Sequence, residues 1–425
     1  MFAQKVKEES NWIICILSLG YFIFGFLFSM QPPLFPPEAA SKGLTPSQYS
    51  LPFMSGELVG LIFTLVTGFL IQDIGAKYCM CIALLMTGLS TSLFGLLTFV
   101  DNASYFLILA CVIRILQSTG MCVFYSSGCT TLLTFYPRTK MMKTSIVNTA
   151  FYMGSILGPI GGELLNALAG FSLPFVCSGP VFIIVAVLVY TIIPDLWTKE
   201  SSDKCITVMD SLYALKIGSL WAGFLAVLNA TFSEYFLAAT LETHIRYLNL
   251  PLTLKSLIFI INPSFVCISN SVVGNIIQKG TKPKIVIASG MLLGGFGFMF
   301  LGPIGIFMEP VLWMVIVALI FNGISTSACF APGFIDPILQ LKVRGFPSNE
   351  VINGFIQGLC MAAGKFGGSF GSVLGGTFFQ YFGMPIAVIL PVCVCFGNAL
   401  ITFILYLNDR KYEKDSEKTP LLGVV

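Results

Sequence analysis

Twelve runs of about twenty apolar residues, separated by short polar breaks, constrain this chain more than any other feature. A helix needs about 20 predominantly apolar residues to cross a bilayer, and it satisfies its own backbone polar groups on the way. The runs lie at 12–31, 51–72, 78–100, 104–134, 144–168, 174–193, 217–241, 253–277, 285–307, 311–333, 351–379 and 385–407. Those at 51–72, 253–277 and 351–379 are the least uniform, holding polar residues and many glycines. Of the 425 residues, 56% are hydrophobic and 10% charged, against about 25% charged in soluble proteins. Surface this apolar takes lipid as its solvent. The first ten residues are polar, and the run after them is long enough to be a true span, so no cleavable signal is expected.

Lys and Arg concentrate in the short cytosolic loops of such proteins. With a cytosolic N-terminus, eighteen of them fall on the cytosolic side and only Lys42, Arg246 and Lys255 on the other. Both termini are therefore expected in the cytosol. The net charge of +3 is too small and scattered for nucleic-acid binding. Most of the thirteen cysteines sit singly in apolar runs, where Cys packs as a small hydrophobe. With one histidine, no metal-ligand spacing emerges. No Ser/His/Asp set or catalytic carboxylate pair is visible, so an enzyme is not expected. No nucleotide-binding loop is visible either, so a gradient must drive any work, with no cofactor.

The longest interior polar stretch, 194–215, divides six runs from six. The expected fold is an all-α membrane protein of twelve transmembrane helices in two pseudo-symmetric six-helix bundles. These would be 1–193 and 216–407, joined by a cytosolic linker at 194–215 and followed by a disordered cytosolic tail at 408–425. The halves repeat weakly. Gly68 to Gln72 closes the second run as Gly274 to Gln278 closes the eighth, and Gly154-xxx-Gly158 in the fifth parallels Gly367-xxx-Gly371-xxx-Gly375 in the eleventh. Internal repeats are typical of secondary transporters, whose site lies at mid-membrane between the repeats. Glycines at every fourth position let helices pack closely; recurring at matching places, they are also candidates for a sliding seam between the halves.

Charges within a bilayer are costly, and each is a functional candidate. Five stand well inside the runs: Glu57, Arg114, Glu163, Glu234 and Lys365. None falls in runs 3, 6, 9 or 12, which are therefore expected to face lipid while the others surround a wet cavity. Arg114 and Gln117 share a helix face. A guanidinium does not shed its proton, so Arg114 either locks a buried ion pair or governs protonation of a nearby carboxylate. Burial raises a carboxyl pKa and a close cation lowers it, and a group poised between the two can take up and release a proton. Glu163, Glu234 and Glu57 are candidates for that carboxylate or for holding a cationic substrate. Glu57, near the non-cytosolic end, has solvation as its simpler account. Lys365 could pair with any of the three. Tyr125, Tyr152, Tyr235 and Phe236 could present ring faces to a cation.

These residues resemble the major facilitator superfamily, and within it the vesicular amine transporter branch, nearest its polyamine-transporter-like members. Arg114-xx-Gln117-xx-Gly120 resembles the fourth-helix proton-coupling motif. Gly154-xxx-Gly158-Pro159-xx-Gly162 resembles the fifth-helix antiporter motif, which implies exchange. Gly68-xxx-Gln72-Asp73-x-Gly75-x-Lys77 resembles the loop signature between helices two and three, and Leu34 to Ala39, Phe236-Leu237 with Thr240-Leu241, and Gly371-xxx-Gly375 extend the likeness. Five positions depart from the pattern, among them Ala76, where a basic residue is common, and Ala239, where a proline is usual. Gln72 replaces the usual acid, Glu163 stands where a second glycine is usual, and Ala238 stands where the branch carries an acid tied to amine recognition, leaving Glu234 one turn earlier as a substitute.

The resemblance implies a proton-coupled antiporter of an organic cation, a polyamine or related amine, working as a monomer in a vesicular, endosomal or lysosomal membrane. Rival readings are a uniporter or an anion or drug transporter using Arg114 and Lys365, and a non-transporting scaffold. In the tail, Glu417 with Leu421 and Leu422 fits the acidic dileucine pattern read by sorting adaptors. Asn102-Ala-Ser104 is a candidate glycosylation site.

Overall fold

Each apolar run forms a helix. The computed structural model describes residues 11–136, 140–194, 217–246, 252–302, 311–344 and 350–418. Its long helices are α1 (Asn11–Ser41), α2 (Pro46–Ile74), α3 (Ala76–Gly95), α4 (Ala103–Phe135), α5 (Lys140–Ala169), α6 (Ser172–Ile192), α7 (Trp221–Ile245), α8 (Leu252–Gln278), α9 (Pro283–Leu301), α10 (Leu312–Val343), α11 (Glu350–Ala387) and α12 (Ile389–Lys418). Within the described residues, nine helices are long and apolar enough by themselves to cross a membrane. The three that fall short are α2, α5 and α11, which carry Glu57, Glu163 and Lys365. Apart from Pro194, the expected linker lies outside the described residues, as do Leu421 and Leu422.

Several boundaries differ from expectation, for local physical reasons. The first run was bounded at 31, before Pro32, Pro33, Pro36 and Pro37, yet α1 continues through all four to Ser41. Prolines are tolerated in membrane helices where neighbours re-satisfy the freed backbone groups. Here the extra turns bury Leu34, Phe35 and Ala39, with Phe35 stacked on Phe106. Helix α2 stops at Gly75, whose φ of 91° belongs to the left-handed region that only glycine enters at little cost, and α3 begins at the next residue. The Asn102 side chain accepts from the Ser104 and Tyr105 amides and so caps α4. The eleventh and twelfth runs separate at Gly383, with φ 72°. Helix α12 then continues to Lys418, so residues 408–418 of the expected disordered tail are helical.

In the first half, α1 packs on α5, α2 on α4, and α3 on both α4 and α6. The second half repeats this, with α7 on α11, α8 on α10, and α9 on α10 and α12. Adding six to each helix number converts one set into the other. The halves meet where α2 packs on α11 and α5 on α8. The main contacts of α3, α6, α9 and α12 stay within their own half. Their outer faces expose Leu85, Leu89, Ile184, Val187, Phe296, Leu400 and Phe403, as lipid-facing helices should.

The glycine faces decide between close helix packing and a seam between the halves. A Cβ at Gly154 would collide with the Phe22 carbonyl, and one at Gly158 with Ser29 and the Phe26 carbonyl, both on α1. Gly367, Gly371 and Gly375 likewise receive Leu228, Phe232 and Phe236 of α7. These glycines therefore build the close α1–α5 and α7–α11 contacts inside each half, and they are not the seam between halves. Overpacking such a contact typically costs about 1–3 kcal/mol. Gly154→Ala is expected to lower the thermal unfolding midpoint in detergent, and an unchanged midpoint would show that the α1–α5 contact is looser than described.

Candidate functional site

The side chains expected to act sit on α1, α2, α4, α5, α7 and α11, and they form three adjoining groups, with Phe28 of the third packed 5.7 Å from Tyr235 of the second. Arg114 of α4 is buried, at 7% exposure. Its guanidinium donates to Gln31 of α1 and, at 3.3 Å, to Gln117 one turn along α4. Gln31 Nε2 donates to Gln117 Oε1 at 3.0 Å, and Gln117 Nε2 reaches Thr91 of α3 at 3.3 Å. The cation lies 5.1 Å from the centre of the Phe53 ring, and its Nε has no hydrogen-bond partner. Two amides and a ring thus make its direct contacts, while Glu57 is the carboxylate near enough to act on its charge. Gln31 was not anticipated, although a lone amide next to a proline in an apolar run was the available signal. Gly120, two turns beyond Arg114, meets Thr87 and the Ala83 carbonyl of α3.

The second group bridges the halves. Glu57 of α2 is only 3% exposed, which overturns its simple solvation. Its Oε1 accepts from Lys365 Nζ of α11 at 3.0 Å and from the Tyr235 hydroxyl of α7 at 2.6 Å. Tyr235 therefore works here through its hydroxyl, and Phe236 is packed against Phe298 in the core of the second half. Call the face bearing the chain ends the near face and the opposite one the far face. Further ties follow toward the far face. Tyr49 and Thr243 share a 2.5 Å hydrogen bond, and the Ser47 amide donates to Gln380 at 3.0 Å. A Cβ at Gly376 would come within 2.7 Å of the Pro46 carbonyl. These contacts close α2 against α7 and α11 at the far face.

The third group is a cleft between the halves with about 90 Å³ of cavity volume, smaller than the several hundred Å³ usual for ligand sites. It is lined by Phe28, Ser29 and Pro32 of α1, Phe151, Tyr152 and Ser155 of α5, Glu234, Leu237, Ala238 and Leu241 of α7, Phe259, Asn262, Pro263 and Val266 of α8, and Leu319 of α10. Glu234 is the one ionisable carboxylate in this lining, and Ala238, the position of the missing acid, lies one turn further along the same wall. Of the rings proposed for a cation, Tyr152 faces this space, while Tyr125 packs behind it against Phe151 at 5.9 Å. Glu163 is not in the lining. It is buried at 6% exposure, with Oε2 lacking a hydrogen-bond partner.

The loop signature holds less than its motif implies. Asp73 is exposed and Gly75 buried, while Lys77 lies 4.9 Å from the Tyr190 ring. Sequence reasoning missed a charged cluster at the near face. Lys284, counted as a loop cation, is 2% exposed and bonds Asp409 and Ser219, with Asp336 at 3.7 Å. Asp409, assigned to a disordered tail, also meets Arg344 at 3.4 Å. This cluster joins α9, α10 and α12 to the turn that opens α7.

Twelve helices in two repeated halves around a mid-membrane cleft define a membrane transporter. The family follows from comparison: the Major Facilitator Superfamily model matches residues 17–339, and the chain belongs to that superfamily. It is 26% identical over 401 residues to the MFS-type transporter SLC18B1 of Homo sapiens, covering 93% of this chain and 86% of that protein. The Rattus norvegicus SLC18B1 is 25% identical over 430 residues, covering 99% and 92%. In fold, the chain resembles the solved nucleoside transporter NupG, with a TM-score of 0.67 at 13% identity, covering 93% of this chain and 100% of that one.

Proposed function

We propose that this protein exchanges protons for an organic cation, a polyamine or related amine, across a vesicular, endosomal or lysosomal membrane, with both termini in the cytosol. The observation that carries this reading is Glu234. It places a single carboxylate in a cleft otherwise walled by rings, aliphatic side chains and the uncharged polar groups of Ser29, Ser155 and Asn262, between two halves that can rock about it. Phe28, Phe151, Tyr152 and Phe259 supply the faces and apolar surface that an amine would meet. Cargo binding and proton binding compete for Glu234, because a carboxylate holding an ammonium group has no place for a proton. Arg114, held by Gln31 and Gln117, fixes a permanent positive charge that biases this exchange. An anion carrier is less well supported, since Lys365 is occupied by Glu57.

The test is uptake of labelled spermidine, monoamines and a few organic anions into proteoliposomes carrying an imposed pH gradient. Amine uptake should vanish when the gradient is collapsed, and Glu234→Gln should lower it at least tenfold. Uptake indifferent to the gradient would defeat the exchange reading. Anion uptake in place of amine uptake would defeat the cation reading.

A further inference from the structure

Glu163 is a buried acid outside the cleft lining whose Oε2 has no hydrogen-bond partner. It lies eight residues beyond Ser155 on α5, about 12 Å closer to the far face at 1.5 Å per residue. Its neighbour Gly162 points into α1, against Met30 and Leu34, and Glu163 itself faces the other half. The charged groups facing it are Lys255 of α8 and Glu242 of α7, and Asn166 of its own helix shares a hydrogen bond with it. Glu242 is already matched: Arg246 donates to it at 3.3 and 2.6 Å, and these bonds hold the guanidinium above its ordinary pKa. Lys255 forms no ion pair with Glu163 within 4.0 Å among the described contacts. His244, also at this end, bonds the Leu301 carbonyl.

A carboxylate buried without full hydrogen bonding is costly, and the neutral acid far less so. Both charged neighbours of Glu163 belong to the opposite half. When the halves part at the far face, they withdraw and water reaches the side chain. We propose that Glu163 takes up a proton from the compartment beyond the far face, and that this face seals only over the neutral acid. The uptake is carboxylate plus proton giving carboxylic acid, with no other bond changed. This assignment rests on the exchange reading for its role in transport, and it separates the two acids: Glu234 meets cargo and Glu163 reports the far compartment's pH. A state that binds one proton more than its alternative is favoured below the group's pKa and lost as pH rises. The far face should therefore be sealed at acid pH and opened by alkali.

The test needs no cargo. A photo-cross-linker, Gln380→p-benzoylphenylalanine, sits opposite Ser47 in the sealed state. Protein in proteoliposomes is irradiated at pH 5.5 to 8.0, and the α2–α11 cross-linked peptides are quantified by mass spectrometry. Yield should fall at least fivefold toward pH 8.0. With Glu163→Gln added, it should stay at the acid-pH value throughout, and with Glu163→Asp the pH dependence should return. A yield independent of pH in the protein retaining Glu163 overturns the proposal even if Glu163→Gln fails to fold. An unaltered pH dependence in Glu163→Gln overturns it too, and points to His244. Loss of amine uptake with pH-dependent sealing intact would defeat the exchange reading and leave this one standing.

Discussion

Replacing Arg114 by alanine is expected to reduce pH-gradient-driven uptake by about a hundredfold. Two amides, Gln31 and Gln117, are oriented by this guanidinium, and a hydrogen bond to a charged group contributes about 1.5–3 kcal/mol. Removing the cation leaves both amides in a buried space without their donor and deletes a fixed positive charge from the middle of the membrane. Arg114→Lys should rescue little, because one ammonium cannot reproduce the planar fork that spans two acceptors. The measurement is uptake in proteoliposomes with and without the gradient, beside a folding check by size exclusion. Normal coupled uptake in the alanine variant would reassign Arg114 to structure alone.

The second large effect concerns Glu57 and Lys365. Breaking a buried ion pair by removing one partner typically costs about 3–5 kcal/mol, since the other charge is left uncompensated, whereas replacing both by apolar or neutral groups is often close to neutral. Glu57→Gln should therefore lower the thermal unfolding midpoint strongly, and it also deprives the Tyr235 hydroxyl of its anionic acceptor. Glu57→Gln combined with Lys365→Met should recover most of that loss. If the single and double variants unfold alike, the pair is not the compensated unit described. Because the pair joins α2 to α11, the single variants should also weaken the seal of the far face, a second reading that photo-cross-linking at Gln380 can provide.

Much of the architecture was legible before any coordinate. Hydrophobic run length fixes the number and rough placement of the helices, because a bilayer demands one run per crossing. The repeat of glycine and glutamine positions announced two similar halves, and runs 3, 6, 9 and 12, which like runs 1, 8 and 10 hold none of the five membrane charges, form helices whose outer faces are apolar. The five membrane charges were also readable, since each is costly enough to be conspicuous. Helix ends were read less well. The prolines of α1 and the polar residues of α12 looked like stops, but packing of Leu34 and Phe35 and the bond from Lys284 to Asp409 carry both helices further.

Sequence by itself determined which residues are expensive to bury and roughly how deep each lies. It could not say which of them meet, because a partner hundreds of residues away leaves no mark on local pattern. Tertiary structure paired Glu57 with Lys365, gave Arg114 two amides as its hydrogen-bond acceptors, placed Glu234 in the cleft beside Ala238, and left Glu163 buried with an unbonded oxygen. It also decided between the two readings of the glycine stripes, placing them at the close contacts within each half. The reason is geometric: periodicity tells which face of a helix is apolar or small, but only the packing of whole helices decides what that face meets.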